Sequence, residues 1–221
     1  MFLNLFSMFD PSTSSFFSNN WLSMMLFLFF IPLNFWIFKS RIYFFLNLII
    51  SSLLLEFKNN FSKNNSKSFI FFMSLFFYIF LNNFLGLFPY TFTASSHISF
   101  SLSIALPFWL TFMIFGWINF SNAMFSHLVP MGTPFILTSF MVLIETISNI
   151  IRPLTLAVRL TANMIAGHLL LCLLSNISEK IYFYYFITFP ILIALLILEL
   201  AVALIQSYVF ITLLTLYFNE I

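Results

Sequence analysis

Four ionisable side chains, Glu145, Arg152, Arg159 and Glu199, stand inside sequence that is otherwise as apolar as lipid. Each costs at least about 2.5 kcal/mol near a bilayer centre, so such groups face protein or water and usually carry a task. On a helical wheel with Glu145 as zero and about 100° per residue, Asn149, Arg152, Arg159 and Asn163 fall at about +40°, −20°, −40° and 0°. These five residues share one narrow stripe. Ser148, Thr155, Ala162 and Ala166 flank it, a polar and small-residue face that lets another helix approach closely. His168 falls about 140° away from Glu145 and points elsewhere. Glu199 and Gln206 share a face of a second apolar segment.

The chemistry available to this set is proton transfer past a fixed charge. Arginine keeps its proton at every relevant pH, so it is a poor proton carrier and a good stationary cation. Glutamate and histidine can be tuned towards neutrality by burial and neighbours, and can pass protons on. A cation in low dielectric makes an approaching carboxylic acid give up its proton and repels a proton travelling straight through. Access groups on the two sides of such a cation would force the proton onto a mobile carrier between them. Each charge crossing is worth about 2.3 kcal/mol per 100 mV, which such a device converts into motion. The plainer reading is structural pairing. It fits Arg152 best, which follows Glu145 by two turns and precedes Pro153. His168 alone would read as a core histidine.

The elements that must position these groups are those of a polytopic membrane protein. Only 6% of the 221 residues are charged and 62% are hydrophobic, against about a quarter charged in soluble domains. The opening "MFLNLFSMFDPSTSSFFSNN" has neither the basic start and cleavage site of a secretory signal nor the arginines of a transit peptide. One cysteine, Cys172, excludes a disulfide framework. His97 and His127 fall in connecting segments and make no ligand pattern with His168, so neither metal nor haem is expected. The absence of a glycine-rich phosphate loop argues against nucleotide binding within this chain, and the lack of a basic patch against nucleic acid. Thirty-six Phe beside four Gly is the composition of an AT-rich genome, as mitochondrial genomes often are.

A spanning helix needs about 20 apolar residues, and segments 21–38, 69–88 and 98–120 meet that need. Segments 134–172 and 181–218 are nearly twice as long. At about 1.5 Å per residue they reach about 55–60 Å, against a hydrocarbon core of about 30 Å. They must be broken, with Pro153 and Pro190 as the candidate breaks, or inclined as a hairpin about the polar turn "SNISEK"; the residues leave both open. Segment 42–57 reads as an interfacial helix. Were it to span, Lys39 and Arg41 would lie across the membrane from Lys58, Lys63 and Lys67, against the positive-inside rule. The expectation is an all-α single membrane domain over 1–221, with five crossings and one interfacial helix. The N-terminal segment 1–20 lies outside, the basic 39–67 region inside and the C-terminus inside.

"LAVRLTANMIAGHLL", with "NNFLGLFPYTFTASSH" upstream and "LELAVALIQSYVFITLL" downstream, resembles subunit a of the F-type ATP synthase. The likeness covers nearly the whole chain, the first 65 residues mainly in hydropathy. It implies that Arg159 is the essential stator arginine facing the carboxylates of a rotating c-ring. It assigns Glu199 and His168 to a half-channel open to the intermembrane space, and Glu145 to one leading to the matrix. Asn163, Gln206 and Arg152 become polar neighbours at the ring interface. It favours the tilted hairpin, with Pro153 bending its first helix around the ring. It further implies a proton-translocating component that is not catalytic alone and uses no cofactor. This component would sit in the mitochondrial inner membrane among the c-ring, other Fo and peripheral-stalk subunits, and lipid. Two other readings compete. A respiratory proton pump would ordinarily use buried lysines or haem-binding histidines, and this chain has no intramembrane Lys. A scaffold would use the polar stripe only to pack helices.

Overall fold

In lipid every backbone N–H and C=O must be satisfied within the protein, and a helix does so within its own segment. The computed structural model follows that logic. It describes residues 5–12, 19–30, 40–60, 69–88, 91–129, 134–180 and 182–220. Among the described residues every regular element is helical: α1 (Arg41–Asn60), α2 (Phe69–Gly86), α3 (Ile98–Asn119), α4 (Ser121–His127), α5 (Thr138–Lys180) and α6 (Tyr182–Glu220), with short 3-10 segments between or before them. Hydroxyls that would be costly in lipid donate to carbonyls of their own helix three residues back, as Ser148 does to Glu145, Thr155 to Arg152, Ser207 to Leu204 and Thr215 to Thr212.

Three helices, α3, α5 and α6, are long and apolar enough to cross a membrane, and α2 is a shorter apolar helix. Of the two arrangements open for the last segments, the unbroken one is realised. α5 runs through Pro153 and α6 through Pro190 as helices of 43 and 39 residues. They pack against each other as a hairpin. At about 1.5 Å per residue α5 is about 64 Å long, twice a hydrocarbon core, so it inclines or projects.

The segment expected to span at 21–38 begins instead as a 3-10 helix, Asn19–Phe30, and 31–38 lie outside the described residues. At about 2.0 Å per residue its 12 residues stretch over about 24 Å. Aromatic edges hold it to α2 and its exit: Trp21 against Phe92 at 5.7 Å and Phe27 against Tyr78 at 5.1 Å. α1 is longer than the 42–57 segment read from the sequence. It leaves Ile42, Phe44, Phe45 and Leu48 exposed and joins the bundle through Phe57, wedged between Phe76 and Tyr208. The basic residues Lys39, Lys63 and Lys67 lie outside the described residues.

The core forms where α2, α5 and α6 meet. Phe72, Phe76, Ile79, Leu156, Ala157, Leu160, Phe210, Ile211 and Leu214 are buried there. Small residues set the spacing of the hairpin, with Ala157, Ala203 and Ser207 fully buried. At one end Phe72, Phe112 and Phe218 close a ring cluster, with centroids 5.5 to 6.3 Å apart. Rotation of α5 about its axis is thereby settled: Leu156, Leu160 and Met164 face the core, which turns Arg159, Ala162 and Asn163 outward.

Candidate functional site

Each polar residue singled out in the sequence has a distinct place along the hairpin. Glu145, Asn149 and Arg152, on the first third of α5, line a cavity of about 290 Å³ together with His127 of α4, Tyr217 of α6 and aromatic side chains of α3. The Arg152 guanidinium donates to the Glu145 carboxylate at 3.5 Å and lies 5.1 Å from the centre of the Tyr217 ring. A cation over an aromatic face is favourable, so Arg152 is held from two sides.

Asn163, Gly167, His168 and Glu199 line a second cavity of about 240 Å³. Glu199 is 7% exposed, and neither of its carboxylate oxygens has a hydrogen-bond partner among the described residues. His168 Nε2 is in the same position. Buried polar atoms left without partners are expensive, and this pair sits where a cavity meets the protein. A third cavity of about 760 Å³ shares Leu87 and His168 with the second and widens past Thr93, Cys172 and Ser175 to the N-terminal Ser7, Asp10 and Asn20. Phe9 sets its edge against His168, the ring centres 6.4 Å apart. At the wide end the Ser12 hydroxyl, at 2.8 Å, and amide, at 3.1 Å, hold the Asp10 carboxyl below the usual carboxylate range. That mouth therefore keeps a negative charge at neutral pH.

Arg159 lines none of these three cavities. It is exposed and makes no ion pair or hydrogen bond among the described residues. Around it Thr155, Val158, Ala162, Asn163 and Ala166 form an open face of small and polar residues. The nearest α5 residue of the first cavity is Arg152 and that of the second is Asn163; about 16 Å of helix separates them, with Arg159 between. Gln206 lies elsewhere: it is 7% exposed and lines none of the three cavities.

A family profile described as ATP synthase A chain matches residues 17–219. The chain belongs to the ATP synthase A chain family. Relatives named ATP synthase subunit a are 57% identical to it in Drosophila melanogaster and in Drosophila yakuba and 54% identical in Anopheles gambiae, each alignment covering all of both chains. As a member of the A chain family, it is a membrane component of the ATP synthase complex and works beside that complex's other subunits.

Three cavity residues escaped the reading of the sequence. His127 sits on the Glu145 cavity although it had seemed a connecting residue: it ends α4, and Met124 and Leu128 beside it line the same cavity. Tyr217 reaches the same cavity from the far end of the chain, a pairing that no local pattern encodes. Gly167 was passed over as part of an apolar run. A Cβ built there would lie 2.5 Å from Glu199 Oε1 and 2.9 Å from its Cδ, so the bare backbone is what admits the carboxylate.

Proposed function

We propose that this chain is the proton-translocating stator subunit of the ATP synthase membrane sector, seated in the mitochondrial inner membrane. One observation carries the reading: two carboxylate-bearing cavities lie at separate levels of the hairpin, and the unpaired Arg159 is exposed between them on a small-residue face. The described linings of the two cavities share no residue, and in this reading a proton passes from one to the other on a carrier docked on that face. The carboxylates of a rotating c-ring fit that requirement. Each takes a proton from Glu199 and His168, travels around with the ring, and releases it towards Glu145 when Arg159 draws the anion. Because Arg159 stays cationic, it blocks direct leakage and favours the deprotonated ring carboxylate.

The proposed orientation is consistent with the two ends of the chain lining different cavities. Ser7, Asp10, Ser12 and Asn20 border the vestibule that leads to His168, while Tyr217 borders the Glu145 cavity. Opposite ends of the chain at opposite ends of the hairpin support termini on opposite sides, and we place the N-terminus towards the intermembrane space and the C-terminus towards the matrix. Protons then arrive through the Glu199 side during ATP synthesis. Within the subunit no cofactor is needed, because every step is a proton exchange between carboxyl, imidazole and water.

The docking face is tested by disulfide capture. Ala162→Cys, on the exposed face, should cross-link to a cysteine on the outer helix of the c-ring in the assembled complex, whereas the buried Ala157→Cys should not. Failure of Ala162→Cys to reach the ring in a fully assembled complex would remove the reading.

Gly167 supplies a subtler test. In Gly167→Ala the new methyl must displace the Glu199 carboxylate, the free end of a flexible side chain, so assembly should survive while the proton-accepting oxygens move. Misplacement of a reacting group by about 1 Å can cost as much as about 100-fold. ATP-driven proton pumping should therefore fall well below wild type in a complex that runs normally on a native gel. Unchanged pumping would mean that the position of Glu199 does not matter.

A further inference from the structure

We infer that His127 is a proton-relay residue of the Glu145 half-channel, the group that exchanges protons with the aqueous phase at its mouth. The inference rests on the half-channel reading above and adds to it a residue from outside the two long helices. Loss of the stator arginine or of Glu199 says nothing about His127, so it needs its own argument.

Three observations carry it. First, His127 ends the short helix α4 and lines the same cavity as Glu145, Asn149 and Arg152. Second, His127 is exposed while Glu145 is partly buried, so the imidazole is the more accessible of the two groups. Third, Glu145 is already engaged by Arg152 at 3.5 Å. The guanidinium holds the carboxylate on the cavity wall, so a proton released there needs a separate group to carry it to the mouth. An imidazole can do so, because it accepts a proton on one ring nitrogen and releases one from the other.

The groups facing His127 across the cavity are Glu145 and Arg152 from α5 and Tyr217 from α6. From α3 come only Trp109, Phe112, Met113 and Trp117, none of them charged. With a volume of about 290 Å³ the cavity has room for several waters to bridge acid and imidazole. During synthesis a proton leaves the Glu145 carboxyl through water and binds the unprotonated ring nitrogen of His127, and the resulting imidazolium releases the proton on its other nitrogen to bulk water. The ring ends neutral, in its other tautomer, and resets by exchange with water. In ATP-driven pumping the same steps run in reverse.

The test uses the assembled complex in inverted vesicles, which expose this end of the bundle to the medium. The readout is the rate at which ATP hydrolysis builds a membrane potential. His127→Gln keeps a polar side chain of similar reach but cannot carry a proton, and His127→Ala opens the mouth. Both should slow the rise roughly tenfold, less than the ~100-fold of a fully isolated proton carrier because water substitutes in part. Free histidine in the medium, an imidazole that does not cross the membrane, should restore the rate in His127→Ala, and the same concentration of glycine should not. No slowing, or slowing that histidine does not relieve, overturns the relay. Glu145→Gln serves as the control for the underlying reading. If it is as fast as wild type, the half-channel itself is wrong; if it is slow while the His127 variants are fast, only His127 falls.

Discussion

Replacing Arg159 with alanine is expected to abolish proton-driven ATP synthesis while ATP hydrolysis by the soluble catalytic part of the complex continues. The residue stands between two cavities with no ion pair or hydrogen bond among the described residues, so nothing described within the chain offsets the cost of its charge in lipid. A nearby cation lowers the pKa of a carboxylic acid by about 1–3 units, which is a 10- to 1000-fold change in how readily it yields its proton. Without that pull a ring carboxylate reaches the Glu145 side still protonated, and rotation no longer requires release. Lysine at this position should rescue only in part, because its compact ammonium lacks the planar fork that spans two carboxylate oxygens. Synthesis measured in vesicles under an imposed gradient decides the matter. Coupled synthesis retained by Arg159→Ala would remove the stator assignment altogether.

Glu199→Gln is expected to produce the second largest loss. The amide matches the carboxyl in size and can sit against Gly167, so the packing of α5 and α6 should hold. What disappears is the ability to bind and release a proton. A positioned proton carrier typically contributes about 10²- to 10⁴-fold, and His168, on the same cavity wall, replaces only part of that. Passive proton conductance through the membrane sector, after the soluble part is stripped away, should drop by a comparable factor. Glu199→Asp should keep part of the function, since it retains the acid on a shorter arm. Wild-type conductance in an assembled Glu199→Gln complex would show that the vestibule serves no proton path. It would also leave the two unpartnered carboxylate oxygens without a role.

The two variants separate the competing readings of the polar stripe. A scaffold that used it only to hold helices together would lose assembly when Arg159 or Glu199 is changed, and conductance would follow protein level. Arg152 fits the scaffold role better than its neighbours do, since it is engaged by both Glu145 and Tyr217. Arg159 fits it least.

Much of this molecule was legible in its residues because lipid is an unforgiving solvent. Apolar length announced the helices, and the cost of a charge in hydrocarbon singled out Glu145, Arg152, Arg159 and Glu199 before any coordinate was known. Helical period put Arg159 and His168 on different faces, and in the folded chain one is exposed and the other buried. Local pattern also misled in places. The start of the 21–38 segment is drawn out as a 3-10 helix along α2, with Trp21 against Phe92 and Phe27 against Tyr78. Proline did not break either long helix, since a helix packed along its length against a partner tolerates one missing hydrogen bond.

By itself the sequence determined the solvent, the helical class, the hairpin's polar residues and their order along each helix. Those are properties of type and spacing, and a helix converts spacing into direction by fixed geometry. Only the tertiary structure decided which groups share a cavity. Glu199 meets Gly167 and His168 and Tyr217 meets Arg152 because α6 returns along α5, and His127 at the end of α4 shares a cavity with Glu145. Such encounters between residues distant in the chain depend on how helices cross and at what depth, which no local pattern of residues encodes.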